Sequence, residues 1–319
     1  MTLLVEQAAL MMTVQDLGRF QYQRYGLPES GPMDHWAQRT ANRLVGNVME
    51  AACLEIGFSS ASFMPEVDTL LAVTGVGFKL TVNNRPLPLW MNFRVRAGDR
   101  IGLEKIGGGN WAYLAVAGGV LTPSWLGSRS TYALGGLGTP IRVGERIPVG
   151  VSESLDDSFA ICSLREEARP QYQVEETKLR VVPGPHQSRF TEEALEWFTS
   201  SGYTLSARSD RMGYRLSGEP LEHKEGADLI SQGMVLGEVQ VPGDGQPIVM
   251  MPDHPTTGGY TCIATIIQAD LPLLAQAEPE RTEINFEWID VAAAQGIYWQ
   301  MVEKMKSGIQ TEEAEWLYL

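Results

Sequence analysis

The chain has 319 residues, 44% hydrophobic and 20% charged, a globular composition with room for a large core and two ordinary domains. It carries 25 Lys and Arg against 39 Asp and Glu, and the net charge of -14 argues against nucleic acid or an acidic membrane as a partner. Cys53, Cys162 and Cys262 are dispersed and read as buried free thiols of a reducing compartment. With no basic-then-apolar leader and no apolar run near the roughly 20 residues of a membrane span, a cytoplasmic location is expected.

In chain order, the first unusual stretch is TVQDLGRFQYQRYGLPESGPMD (13–34), charged and punctuated by Gly and Pro, with no clean strand or helix period. GPMDHWAQRTANRLVGN follows, where Met33, Trp36, Ala37, Ala41, Leu44 and Val45 share one face at helical spacing. Asp34 stands as its N-cap and Gly46 just past its end. FKLTV alternates and meets an Asn83-Asn84 turn, and FRVRAGDRIGLEKI alternates around Ala97-Gly98-Asp99. WAYLAVAGGV is nearly all apolar, as in a strand buried on both faces. The polar stretch SLREEARPQYQVEETK (163–178) reads as a linker. Beyond it LRVVPGP, GYTLSA, IVMMPD and YTCIATII read as short strands, SRFTEEALEWFTSSG as a helix capped by Thr191, and AAAQGIYWQMVEKMKSG as a terminal amphipathic helix. Ile297, Met301 and Met305 run along that helix at i, i+4, i+8, so its Lys304-Met305-Lys306 does not look like a biotin attachment hairpin.

Short strands broken by Gly and Pro favour barrels or sandwiches. GVGFKLTVNNRPL (75–87) resembles RMGYRLSGEPL (211–221), and GGNWAYLAVAGGVL (108–121) resembles GGYTCIATIIQADL (258–271), which suggests a duplicated β-barrel unit, with chance similarity of Gly-rich strands as the alternative.

No single chemical motif is decisive. GGGN, AGGV and LGGLG fit neither a P-loop nor a dinucleotide fingerprint and read as turns. Among the four histidines no pair has metal-ligand spacing, so no metal is expected; His35 and His223 read as surface residues, His186 and His254 as strand-end turn residues. SARSDRMGYRL (206–216), with Arg208, Ser209, Asp210, Arg211 and Arg215 within eight residues, is either a charged turn with its own Asp–Arg pair or an anion clamp. VQVPGDGQPIVMMPDHPTTGGY (239–260) places Gln240, Gln246, Asp253 and Thr257 at turns and strand ends, where Asp253 could act as a base or an orienting acceptor.

The order of these pieces is more specific than any of them. TVQDLGR, GPMDHWAQRTANRLVGN, WAYLAVAGG, PGPH, SDRMGYRL and GEVQVPGDGQPIVMMPDHPTTGGY, over roughly residues 10–290, resemble the biotin-dependent carboxyltransferase-like family of the bacterial 5-oxoprolinase C component, also called KipA, which is similar to the carboxyltransferase domain of urea carboxylase. The resemblance implies a mainly β chain of two cyclophilin-like β-barrel domains related by internal duplication, with a few short helices, here 1–174 and 175–319. It implies one part of a multi-chain hydrolase, inactive alone, with ATP as co-substrate, a KipI-type B component as partner and a lactam-opening A component. Two alternatives remain: a carboxyltransferase using carboxybiotin on a urea-like amide, and a non-catalytic KipA-type regulator that binds a histidine-kinase inhibitor. Carried onto this chain, the family motifs put Asp16, Asp253 and Arg211 in catalytic roles, and Gln15, Arg19, Asp34, Asn42, Ser209, Asp210, Gln240, Gln246, Thr257 and Gly258 in substrate binding. The site is expected in a cleft between the two barrels, lined by the N-terminal segment and by Gln240–Gly259. One departure stands out: Asp253-His254-Pro255 replaces an aspartate followed by arginine and glutamine in many relatives, which puts substrate identity in doubt.

Overall fold

The computed structural model describes residues 1–151, 160–173 and 175–313. The chain forms two compact units. The first is built from Met1–Arg19, Ser30–Pro170 and the residues from 303 on; the second takes Phe20–Glu29 and Gln171–Val302. The expected domain boundary abuts residue 174, which lies outside the described residues.

The first unit runs β1 (Thr2–Gln7), β2 (Met11–Gln15), α1 (His35–Leu44), β3 (Cys53–Gly57), β4 (Ala61–Pro65), β5 (Thr69–Gly75), β6 (Phe78–Val82), β7 (Arg85–Leu87), β8 (Met91–Val95), β9 (Ile101–Lys105), β10 (Trp111–Val116), β11 (Arg146–Pro148) and β12 (Ala160–Leu164). The second runs β13 (Glu176–Pro183), α2 (Glu192–Ser200), β14 (Tyr203–Leu205), β15 (Gly213–Ser217), β16 (Asp228–Gly233), β17 (Glu238–Val241), β18 (Ile248–Met250), β19 (Thr257–Ile266), α3 (Leu271–Gln276) and β20 (Glu283–Trp288). Helix α4 (Val291–Gly308) and strand β21 (Ile309–Glu313) close the described chain. No helix among the described residues is long and apolar enough to cross a membrane.

Two sheets make the first unit: β11-β1-β4-β9-β6-β7, and β2-β3-β10-β5-β8-β12-β21. Strand alternation sorts the second sheet into two faces. Val14, Leu54, Ile56, Ala112, Leu114 and Val73 join Leu3, Val5, Phe63, Leu80 and Ile101 of the other sheet in one apolar core. The opposite residues, Thr13, Glu55, Tyr113 and Thr74, are consecutive cross-strand partners and form a polar row. Helix α1 packs on this sheet, and Thr74 Oγ1 donates to the Ala37 carbonyl at 2.7 Å. The polar row sits against a helix, not water, so each of its groups needs a partner within the fold.

The second unit is a closed barrel. β13-β20-β14-β15-β18-β17-β19 returns to β13 through Val181–Ile266, and β16 adds to β19 outside the ring. Burial alternates along its strands, with Leu179 and Val181, Tyr203 and Leu205, Tyr214 and Leu216, and Ile284 and Phe286 inside. Phe198 of α2 stacks on Phe286 at 4.4 Å between ring centroids. The four segments of the internal similarity form strands β6, β10, β15 and β19.

Several expectations are corrected. Residues 163–178 are not a plain linker: Ser163 and Leu164 end β12, and Glu176 opens β13. His35 is buried in α1, not on the surface. Cys162 is half-buried where Cys53 and Cys262 are fully buried. The expected helix caps hold: Asp34 accepts from Ala37 N at 2.9 Å and Thr191 from Ala194 N at 3.1 Å; of the expected α4 face, Met305 is buried while Ile297 and Met301 are half-buried.

Candidate functional site

Gln15 ends β2, and the chain then leaves the sheet through Asp16 and Arg19. Asp16 is nearly buried, and hydrogen bonds fix both of its oxygens. Its Oδ1 accepts from Gly18 N at 2.9 Å, Ser128 Oγ at 2.5 Å and Ser130 Oγ at 2.7 Å, and its Oδ2 from Arg129 N at 2.6 Å. Its own N–H donates to Ser130 Oγ at 3.0 Å. Arg19, 1% exposed, donates to Ser30 Oγ at 3.1 Å and to the Ser130 carbonyl. Ser130 therefore ties Asp16 and Arg19 to one loop. Gln15 Nε2 donates to Thr13 Oγ1 at 3.0 Å and to the Thr131 carbonyl at 3.3 Å. Gly31 turns the chain toward α1 at φ 95°, where a Cβ would stand 3.1 Å from the Leu17 carbonyl oxygen.

Beside this cradle lies a second buried carboxylate. Glu55 Oε2 accepts from Met33 N and from Tyr113 Oη, both at 2.7 Å. Tyr113 Oη in turn accepts from Asp34 N at 2.7 Å. Burial, then the charges of Glu55 and Asp34, push the Tyr113 phenol well up, so it stays protonated and donates. Burial first, then Glu55 and Asp16, also push the Cys53 thiol up, which keeps it unreactive. Asp34 acts as the N-cap of α1, and Asn42, at the helix's other end, donates to the Ala51 carbonyl at 2.7 Å and accepts from Asn47 at 3.0 Å. These two residues fix the helix ends.

In the second unit the structure makes one pair that local reading misses. Arg211 does not pair with Asp210; it binds Asp253, 42 residues on, through Nε–Oδ2 at 2.8 Å and Nη2–Oδ1 at 3.2 Å. Both side chains are nearly buried. Asp253 N also donates to the Arg211 carbonyl at 2.8 Å, so backbone and side chains join the turn before β15 to the turn after β18. Each Asp253 oxygen accepts one guanidinium bond and keeps a lone pair for another donor. A second pair, Arg180–Asp270 (Nε–Oδ2 2.9 Å), ties β13 to the start of α3 and shows that this unit also uses such pairs as joints.

The other expected residues are placed as follows. Exposed Asp210 accepts from Met212 N and Gly213 N at 2.8 and 3.2 Å, and Ser209 Oγ accepts from Arg215 N at 3.0 Å, so both shape the Arg211 turn. Gln246 brackets Gly218, accepting from its N at 3.0 Å and donating to its carbonyl at 3.2 Å. Gln240 is buried and donates to Glu238 Oε1 at 3.2 Å. Gly258 lies beside it, where a Cβ would meet Met234 Sδ at 2.5 Å and Gln240 Nε2 at 2.9 Å. Thr257 is exposed at the start of β19.

Reading the sequence missed Glu55, Tyr113, Ser128, Ser130 and Glu238. A signal existed for Glu55, a lone charge in the strand CLEIG. Another existed for the serines: SRS (128–130) sets two hydroxyls two residues apart, as an extended segment needs to aim both at one acceptor.

Residues 25–288 match the family model of the carboxyltransferase domain, subdomain A and B. The chain is 38% identical to the 5-oxoprolinase C component of Escherichia coli over 85% of this chain and 86% of that protein. It is 33% identical to the 5-oxoprolinase C component of Haemophilus influenzae over 88% of this chain and 89% of that protein. Among solved structures it is similar to the urea amidolyase of K. lactis, with a TM-score of 0.89 and 28% identity over 100% of this chain and 20% of that one. It is also similar to TTHA0988, with a TM-score of 0.80 and 34% identity over 90% of this chain, which spans about half (55%) of that longer chain.

Proposed function

The chain belongs to the carboxyltransferase subdomain A and B family, and from that membership we propose that it is the C component of an ATP-dependent 5-oxoprolinase. The observation that carries this reading is the 38% identity to a 5-oxoprolinase C component along nearly the whole of both chains. The reaction would convert 5-oxo-L-proline, ATP and water to glutamate, ADP and phosphate. This chain would act with a KipI-type B component to activate the lactam, and an A component would open the ring.

A lactam needs acceptors for its N–H and donors for its oxygen and carboxylate. Asp253 supports the first role, since Arg211 holds it in one orientation and leaves each oxygen able to accept a further bond. Its lone pairs would receive the N–H, and Arg211 keeps that carboxylate aligned. In the first unit Asp16, gripped by the 128–130 loop, holds the segment of Gln15 and Arg19 in one conformation. Gln15 Nε2 spends both of its hydrogens on Thr13 and the Thr131 carbonyl, so it holds this segment in shape rather than a ligand.

The test is reconstitution. The chain, co-purified with a KipI-type B component and supplied with the A component, is expected to release glutamate from 5-oxoproline only when ATP is present. Asp253→Asn and Arg211→Ala are expected to abolish release; full turnover from both would remove these residues from the chemistry.

The urea amidolyase relatives support a second reading, a carboxyltransferase acting on a urea-like amide with carboxybiotin. Stimulation by urea and a biotinylated carrier, without glutamate release, would select it.

A further inference from the structure

We infer that His254 presents its Nε2 as a hydrogen-bond acceptor for the N–H of the amide substrate, beside the Arg211–Asp253 pair. The inference rests on the proposed amide chemistry of the second unit. His254 immediately follows Asp253 in the turn after β18, and its backbone N donates to the Met251 carbonyl at 2.9 Å, which fixes the turn. The residue is 2% exposed.

The tautomer follows from one contact. Nδ1 lies 2.6 Å from the Pro255 carbonyl oxygen. A carbonyl only accepts, so Nδ1 carries the proton and donates. In the neutral ring Nε2 then holds a lone pair. Among the described residues Nε2 makes no hydrogen bond, and it is not among the sealed polar atoms that lack one, so the small exposed part of this ring includes it. A nearly buried imidazole with one nitrogen anchored to backbone and the other open is pre-oriented, and its lone pair can meet only a donor.

Two acidic groups near His254 are Asp253 and Glu29. Asp253 precedes it and is held by Arg211. From the segment Phe20–Glu29, which belongs to the same unit, the half-buried Glu29 lies close enough to interact with His254, and burial raises the Glu29 carboxyl above its ordinary range. An oxygen of Asp253 and the Nε2 of His254 give two acceptors on one turn. That suits a substrate with two N–H groups, or one N–H shared between them, rather than a bare anion. Arg211 orients the first acceptor, and the Pro255 carbonyl orients the second.

Two variants separate recognition from support. Glutamine places its amide oxygen near the Nε2 position, and asparagine places its amide near Nδ1. If His254 receives substrate, His254→Gln keeps affinity within about threefold and His254→Asn loses about tenfold, the value of one hydrogen bond at a desolvated site. If the ring serves only to hold Pro255, the order reverses.

The experiment uses the full chain with 15N-labelled histidine, titrated with 5-oxo-L-proline and separately with urea, alone and with its co-purified partner. The expected spectrum shows His254 protonated at Nδ1, and the bare Nε2 signal moves when the amide binds. A resting ring protonated at Nε2 overturns the inference, whatever binds. An amide that binds without moving the Nε2 signal, or a His254→Asn variant that binds as well as His254→Gln, overturns it and leaves the amide reading standing. Failure of both amides to bind in either form removes the amide reading and the inference with it.

Discussion

Asp16 in the first unit and Asp253 in the second are both buried carboxylates at the ends of strands, and the fold satisfies them in opposite ways. Asp16 is held by neutral dipoles, two serine hydroxyls and two backbone amides, most of them from one loop. Asp253 is held by a single opposite charge. The first arrangement needs a sequence-distant loop shaped to converge on one carboxylate; the second needs only one residue to arrive, but it makes Asp253 dependent on Arg211. Distributed dipoles tolerate the loss of one donor, whereas a buried ion pair leaves a whole charge uncompensated when one member goes.

That contrast sets the order of expected effects. Arg211→Ala is expected to destabilise the chain by about 3–5 kcal/mol, because Asp253 keeps its charge in a buried site. The double variant Arg211→Met, Asp253→Leu should recover much of that loss in urea denaturation; no recovery would mean the pair is not what the site depends on. Asp16→Ala, which orphans several donors at once, should cost about 2–3 kcal/mol, while Ser128→Ala alone should cost about 1 kcal/mol. Equal losses from these two would contradict a distributed cradle. Tyr113→Phe removes one hydroxyl that serves both Glu55 and Asp34 N, and about 1–2 kcal/mol is expected, read by thermal denaturation.

A further expected effect is a pH slope. Burial, aided by Arg39, lowers His35 from 6.5 to about 3. Between those values the unfolded chain binds a proton that the buried ring refuses, so stability falls as the pH drops through this window. The slope is at most about 1.4 kcal/mol per pH unit for one group, and His35→Gln should flatten it between about pH 6 and 4. An unchanged slope would assign the acid sensitivity to other groups.

The mainly β character, the capped helix after Asp34 and the terminal amphipathic helix were legible in the sequence because alternation, caps and helical spacing are local signals. The barrel's closure was not: Val181 meets Ile266 across 85 positions, and no local pattern encodes which edge strand closes a ring. Thr191 capped its helix as its position demands, yet His35, one residue inside the other helix, read as solvated. A helix shows its own period but not what covers its second face, and Gln38, Thr40 and Asn42 are buried there as well.

For the site, the residue types were legible and their partners were not. The stretch TVQDLGR announced Gln15, Asp16 and Arg19, but the SRS segment that grips Asp16 lies more than a hundred residues away. SDRMGYR announced an arginine that would meet a carboxylate, and the adjacent Asp210 was the nearer choice. The backbone turn takes Asp210, so Arg211 pairs with Asp253 instead. By itself the sequence determined composition, periodicity, caps and an ordered set of motifs, all of which depend on neighbours along the chain. Only the tertiary structure decided which carboxylate is fixed by dipoles, which by an arginine, and which histidine nitrogen is left open, because those depend on groups that meet in space once the strands have paired.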